Sequence, residues 1–220
     1  MTTGRAQLRQ PFLFVGNHPC LDFINTQMIV RGNPTDLLGG CEDLVAWLVQ
    51  AHMVDKVQAA VVMTQWGHED QEQLFEQGIT FRRTLRDMVA RIVARKSIPD
   101  SAIVSINKIL SRCPGYPQLV RKKGGYTRQF QSQAAQKDGL LAPLAEAASD
   151  LLCSGKWSLV KKCGNPACIL YFYDTTKNHT RNWCSMQLCG NRKKVAAHYQ
   201  RKAEQSNALN RRLGVRPGKT

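Results

Sequence analysis

The sequence predicts an α+β chain: a mainly helical N-terminal domain carrying short β-hairpin elements, followed by a small treble-clef-like unit built on four cysteines. Three observations lead there. Apolar residues recur at helical spacing through most of residues 41 to 153. Cys163, Cys168, Cys184 and Cys189 fall into two matching C-x4-C pairs. The charge is uneven: residues 156 to 220 carry 14 Lys and Arg against only Asp174 and Glu204, so +12 of the net +15 sits in the last third.

At 220 residues and 24.7 kDa the chain has room for one large domain, or one medium domain and an appendage. With 43% hydrophobic residues it can bury a core. No window approaches the roughly 20 apolar residues that span a bilayer. The opening MTTGRAQLRQPFLFVGNHP holds an apolar patch too brief and too Pro-interrupted for a secretory segment, so the cytoplasm is the expected compartment, with no membrane partner.

Residues 12 to 26 begin as a short β-like run, turn at Gly16-Asn17 and His18-Pro19, and re-enter an apolar pattern with Leu21, Phe23 and Ile24 inside. Asp22 and Asn25, three apart, share a face if this segment is helical; they either satisfy nearby backbone groups or touch a ligand. Residues 31 to 40 read as a loop. A core helix follows with Leu44, Trp47, Leu48 and Ala51 in register, and Asp55 caps a further helix running to about Trp66. From about Asp70 to Lys96 a long amphipathic helix, interrupted at Gly78, puts Leu74, Phe81, Leu85, Met88, Val89, Ile92 and Val93 on one side. Its other side is a solvated face of Arg82, Arg83, Arg86, Arg91 and Arg95. Pro99-Asp100 opens another helix. A hairpin turning at Gly124-Gly125 comes next, and then a helix over 138 to 153 with Pro143 in its first turn. Lys156 to Lys162 lead as a strand into the first cysteine.

Two C-x4-C knuckles with fifteen residues between them match a tetrahedral four-thiolate zinc site. Disulfides need an oxidising compartment, and a redox pair more usually reads C-x-x-C in a βαβ setting. Four thiolates hold one structural Zn2+ and leave no coordination position for a reactive water, so catalysis is not expected there. Cys20, Cys41, Cys113 and Cys153 are scattered in apolar or helical contexts and receive no chemistry. Between the knuckles, residues 169 to 174 have strand character and Arg181 to Trp183 would return as the second strand. After Cys189, Asn191 is a plausible N-cap for a helix with Val195, Ala196 and Tyr199 on one side. A metal gripping both knuckles would pin that helix and turn Arg192, Lys193, Lys194, His198, Arg201 and Lys202, with Arg181 nearby, into a fixed cationic array suited to a major groove or to phosphates. Arg192 either addresses a guanine edge or braces a knuckle carbonyl.

The run Cys184-Ser-Met-x-x-Cys189-Gly190-Asn191-Arg192, with Trp183, Asn178, Asp174, Phe172, Cys168 and Cys163 before it, resembles the CGNR-type zinc finger of bacterial proteins. Leu21-Asp22-Phe23-Ile24-Asn25-Thr26 and Leu44-Val45-Ala46-Trp47-Leu48 are similar to the ABATE domain habitually joined to that finger, in a family classed as stress-induced transcriptional regulators. The resemblance implies that the four cysteines bind zinc, that the finger binds DNA, and that Asp22 and Asn25 are the recurring polar positions of a helical N-terminal domain. Asn182 departs from the second arginine often found before the Trp.

The domains expected are residues 1 to 155, mainly helical and sensing or dimerising; 156 to 205, the zinc finger with its basic helix; and 206 to 220, a basic tail. Double-stranded DNA is the expected partner, with a small-molecule effector and a homodimer as further expectations. An RNA-binding or protein-docking module is the alternative. An enzyme is not expected, because no nucleophile paired with a base and no phosphate-binding glycine loop can be read.

Overall fold

The computed structural model describes residues 12 to 112, 115 to 122, 125 to 132, 139 to 153 and 155 to 192, and individual positions between 194 and 204. Helices that bury an apolar stripe form its core, and strands of the last third pack against them.

Helix α1 (Pro19–Ile24) is one and a half turns long, opened by the His18 side chain accepting from the Cys20 N–H and by Pro19 at its first position. Five of its six residues are buried, so this short segment runs through the centre of the molecule. It packs on α4 (His68–Val93), on α6 (Ala142–Cys153) and on strand β6 (Tyr171–Tyr173). Helix α2 (Cys41–Gln50) lays Leu44, Trp47 and Leu48 against the same core, with the Trp47 ring 4.9 Å from that of Phe23. Helix α3 (Lys56–Gln65) begins with a full capping box between Asp55 and Gln58. Helix α5 (Asp100–Leu110) buries Ala102 and Ile106.

Three separate antiparallel hairpins complete the described chain: β1 (Gln27–Val30) with β2 (Asn33–Asp36), β3 (Gly115–Lys122) with β4 (Gly125–Ser132), and β5 (Val160–Lys162) with β6. The first corrects the loop expected over residues 31 to 40. Its turn residues Arg31 and Gly32 both have positive φ, 50° and 87°, the backbone sense that matches strand twist in a two-residue hairpin. The second hairpin is present as expected, but Gly125, expected in its turn, is the first residue of β4 and pairs with Lys122; Gly124 lies outside the described residues.

Helix α4 is continuous, not interrupted at Gly78. That glycine is buried where a Cβ would stand 2.8 Å from Leu44 Cδ2, so its place is set by close packing of α2 on α4. The arginine face of α4 is not uniformly solvated either. Arg82 is 1% exposed, paired through both terminal nitrogens with the Asp36 carboxylate and donating to Thr26 Oγ1 at 2.7 Å. Arg82 thereby ties the end of β2 and the segment after α1 to α4, and despite burial its charge holds Asp36 below the usual carboxylate range. Arg86 reaches the carbonyls of Ile24, Gln27 and Ile169. Composition alone cannot distinguish a cation facing water from one that collects carbonyls.

Val160 and Tyr171, from the last third, belong to the same buried cluster as the helices. A second, smaller cluster holds the four cysteines with Leu170 and Phe172.

Candidate metal centre and its seam with the helices

The first knuckle is the loop of the β5–β6 hairpin. Strand pairing runs from Val160 opposite Tyr173 to Lys162 opposite Tyr171, and the Cys163 N–H continues it to the Leu170 carbonyl at 2.9 Å. Inside the loop Asn165 Oδ1 accepts from the Ala167 N–H and the Asn165 carbonyl accepts from the Cys168 N–H. This pairing corrects two expectations. Residues 157 to 159 form a 3-10 turn before the strand starts, and Arg181 to Trp183 are not a strand: β6 pairs backwards, across the first knuckle. Residues 174 to 181 close into a loop around a single carboxylate instead. Asp174, fully buried, accepts from Lys161 Nζ at 2.7 Å, Thr176 Oγ1 at 2.6 Å, and the Thr176 and Arg181 N–H groups at 3.0 Å each. Burial opposes its charge, but these donors outweigh that and hold the carboxyl far below the ordinary range.

The second knuckle is a π-helical turn, Met186–Gly190. Ser185 is its N-cap: its hydroxyl accepts from the Gln187 and Leu188 N–H groups and its carbonyl from those of Cys189 and Gly190. Asn191, expected as an N-cap, instead has helical dihedrals and carries the helical backbone onward, because Ser185 already caps the segment.

The two knuckles bring four buried sulfurs together, all within 4.8 Å of one another. Cys168 and Cys184 Sγ are 3.9 Å apart, and Cys184 and Cys189 Sγ 3.7 Å. Those separations are far too long for a disulfide of about 2.05 Å. They agree with the edge of about 3.8 Å that a tetrahedron acquires when each sulfur is about 2.3 Å from a central zinc. Asn165 Nδ2 and the Cys184 N–H each point at a sulfur, Cys189 and Cys163 respectively, at 3.4 Å, as donors do around thiolates. The hydrogen bond from Cys184 draws Cys168 down to about 5, while Cys184, which supplies that bond and faces the charge it creates, is pushed up and Cys189 is raised by burial. The donor set and its spacing fit one structural zinc ion.

Arg181, expected among the phosphate-facing cations, points inward. Its Nε donates to the Trp183 carbonyl at 2.9 Å, its terminal nitrogen to the carbonyls of Val15, at 2.8 Å, and Cys184, and its guanidinium lies 4.3 Å over the Phe172 ring. Arg181 thus braces the second knuckle, the task weighed for Arg192. Arg192 is exposed, as are Lys194 and Lys202; all three have helical backbone, and Arg192 bonds no knuckle carbonyl among the described residues. Lys193, His198 and Arg201 lie outside the described residues, as does Ala196. Val195 and Tyr199 are exposed, 54% and 68%, where the pattern suggested a packed side.

Asp22 and Asn25 come together with the zinc-site strand. Asn25 Nδ2 donates to the Tyr171 carbonyl at 2.7 Å and its Oδ1 accepts from the Tyr171 N–H at 2.9 Å, so the side-chain amide pairs with β6 like a neighbouring strand. Asp22 Oδ1 accepts from the Gly16 N–H at 2.7 Å, and the Gly16 carbonyl accepts from Tyr173 N–H at 2.7 Å. Burial pushes the Asp22 carboxyl up to about 6, although neighbouring backbone N–H groups and Arg181 pull the other way. The hydrogen bonds of both residues are therefore made within the chain. Sequence reasoning passed over Lys161 and Asp174 as a pair; the available signal was an acid directly after an aromatic strand in a segment otherwise almost free of carboxylates.

Comparison with known families agrees with this geometry. A family model described as "Putative stress-induced transcription regulator", ABATE, matches residues 17–155, and the CGNR zinc finger model matches residues 160–202. Neither description is that of an enzyme. No curated protein matches the chain. Among the described residues no helix is long and apolar enough to cross a membrane.

Proposed function

The chain belongs to the ABATE family, and from that membership we propose that it is a zinc-dependent, DNA-binding transcriptional regulator working in the cytoplasm. Residues 1 to 155 sense a signal or dimerise, 156 to 205 form the finger, and 206 to 220 are a basic tail. The observation that carries the reading is the four-sulfur cluster standing immediately before exposed Arg192 and Lys194 on helical backbone. Zinc, when bound, replaces the thiol protons and cross-links Cys163, Cys168, Cys184 and Cys189, a linkage that stands in for the core so small a unit lacks.

The remaining work belongs to the chain's own residues. Arg181, anchored on three carbonyls and an aromatic face, fixes the second knuckle; Asp174 and Lys161 fix the loop between the knuckles. Arg192, Lys193, Lys194, His198, Arg201 and Lys202 then meet duplex phosphates as a set, with Arg192 the one suited to a guanine edge. Arg181 contributes by holding that set in place.

Duplex affinity measured against salt tests the proposal. Binding is expected to weaken linearly in log–log form as salt rises. Neutralising Arg192, Lys193 and Lys194 together should flatten the slope by about 2 to 3. Binding with no salt dependence, or an unchanged slope in the triple variant, contradicts it. A second reading, an RNA-binding or protein-docking finger, draws on the exposure of Val195 and Tyr199 beside the cations; preference for single-stranded RNA over duplex DNA would favour it.

A further inference from the structure

Away from Arg192, a cleft of ≈ 740 Å³ opens between the C-terminal end of α4 and the finger. Its apolar floor is Ile92, Val93 and Val160, and its finger-side wall includes Asn182 beside the first knuckle. Five cations line it, Arg95, Lys96, Lys161, Lys162 and Arg181, and among the described residues no carboxylate does. Lys161 is held by Asp174 and Arg181 by backbone carbonyls, whereas among the described residues Arg95, Lys96 and Lys162 make no ion pair or hydrogen bond through their side chains. Unneutralised cations converging on one concavity concentrate anions there. At the rim Trp157 is 42% exposed, a large aromatic face left to solvent beside them.

Arg95 carries a further mark. The end of α4 is a complete Schellman motif: the Arg95 N–H reaches the Ile92 carbonyl at 3.0 Å and the Lys96 N–H the Arg91 carbonyl at 2.9 Å. The residue at its left-handed position, φ 55°, is ordinarily glycine. Here an arginine occupies it and stands at the cleft mouth.

We propose that this cleft binds a free nucleoside polyphosphate, its phosphates met by Arg95, Lys96 and Lys162 and its base stacked on Trp157. The chemistry follows from the lining: several unpaired cations call for a multiply charged anion, and a half-exposed indole calls for a planar partner. The volume lies within the roughly 300 to 1,000 Å³ of small-molecule sites. Bases in a duplex are already stacked and cannot reach Trp157. The bound nucleotide would touch α4 on one side and the strand leading to Cys163 on the other, which is where a sensed ligand can alter how the finger sits. Among the described residues Arg192, Lys194 and Lys202 do not line the cleft, and Arg181, which does, is left unaltered in the test, so that test stands or falls separately from DNA binding.

Isothermal titration of the zinc-loaded full-length protein with ATP, GTP, CTP and UTP, beside inorganic triphosphate and an eight-nucleotide single-stranded DNA, examines it. Saturable binding of at least one nucleoside triphosphate is expected, with inorganic triphosphate about tenfold weaker or more, and about tenfold losses in Trp157→Ala and Lys162→Ala at unchanged zinc content. Arg95→Gly separates lost affinity from lost structure, because it relieves the left-handed arginine while removing a cation: the variant should be at least as heat-stable as the parent and bind nucleotide several-fold more weakly. No nucleoside triphosphate binding at millimolar concentration, inorganic triphosphate binding as tightly as nucleotide, binding of the oligonucleotide alone, or an unaltered Arg95→Gly variant overturns the proposal.

Discussion

The helical region and the finger solve the same problem with different materials. Around α1 and α4 the chain buries Leu21, Phe23, Leu44, Trp47, Leu85, Met88 and Val89, and Arg82, the one fully buried cation among the described residues, is matched by Asp36. Around the cysteines the buried apolar residues shrink to Leu170 and Phe172, with Val15, Met28, Ile169, Trp183 and Leu188 partly buried against them, and four sulfurs, one buried carboxylate and one inward arginine add to the order. Many small contacts degrade gradually when one is removed. A centre in which each ligand is one of four does not.

That contrast is open to attack first at the metal. Chelation, or Cys184→Ser, should unfold the finger outright, since structural zinc supplies on the order of 10 kcal/mol to such units. Hydrogen exchange should lose protection across residues 160 to 190 while α2 and α4 stay protected; loss of protection throughout would mean the helices depend on the finger far more than their packing indicates. Next in size, Asp36→Ala strands the Arg82 guanidinium in the core. A loss of about 3 kcal/mol and a fall in Tm of roughly 10 °C are expected by thermal denaturation, with zinc content unchanged.

The seam is the place where the two regions cease to be independent. Asn25→Ala removes both hydrogen bonds to Tyr171 and should cost about 2 kcal/mol. Zinc transfer to a competing chelator should quicken several-fold, although the substitution touches no cysteine; an unchanged transfer rate would leave the seam without influence on the metal centre. The smallest effect is in pH dependence, where two buried aspartates behave oppositely. Asp22, raised to about 6, holds its proton more tightly folded than unfolded, so its ionisation weakens the fold as pH rises from about 4 through 6. Asp22→Asn should therefore gain stability relative to the parent over that range, on the order of 2 kcal/mol or less. Asp174, held low by Lys161 and Thr176, contributes stability that is present above the ordinary carboxylate range and lost in acid. Asp174→Asn should lose ground relative to the parent as pH rises through about 4, and urea titrations across pH read both differences.

How much of this could be read in advance follows the range of the forces. The Asp55 cap, the stripe of α4 and the fit of the four cysteines to zinc depend on residues close in sequence or on an ion's fixed geometry, and they are legible in the sequence. The turn at Arg31-Gly32 was passed over because its glycine sits among residues with weak strand character. Gly78 reads as an interruption because a helix-weakening residue looks the same in sequence whether it breaks a helix or admits Leu44. The roles of Arg82 and Arg86 are hidden because their partners Asp36 and Ile169 lie 46 and 83 residues away; for Arg181 the Val15 carbonyl is 166 residues away, while its Trp183 and Cys184 carbonyls are local but, as backbone groups, leave no mark in the sequence. For the same reason the strand paired with β6 was sought after it and found before it.

Native mass spectrometry of the intact chain most directly tests the claim that sulfur-held zinc organises the last third. The account predicts one zinc per chain in the parent protein and none in Cys163→Ser/Cys184→Ser, with the thiols of the parent reduced. A metal-free parent in which Cys163, Cys168, Cys184 and Cys189 are joined as disulfides would contradict it.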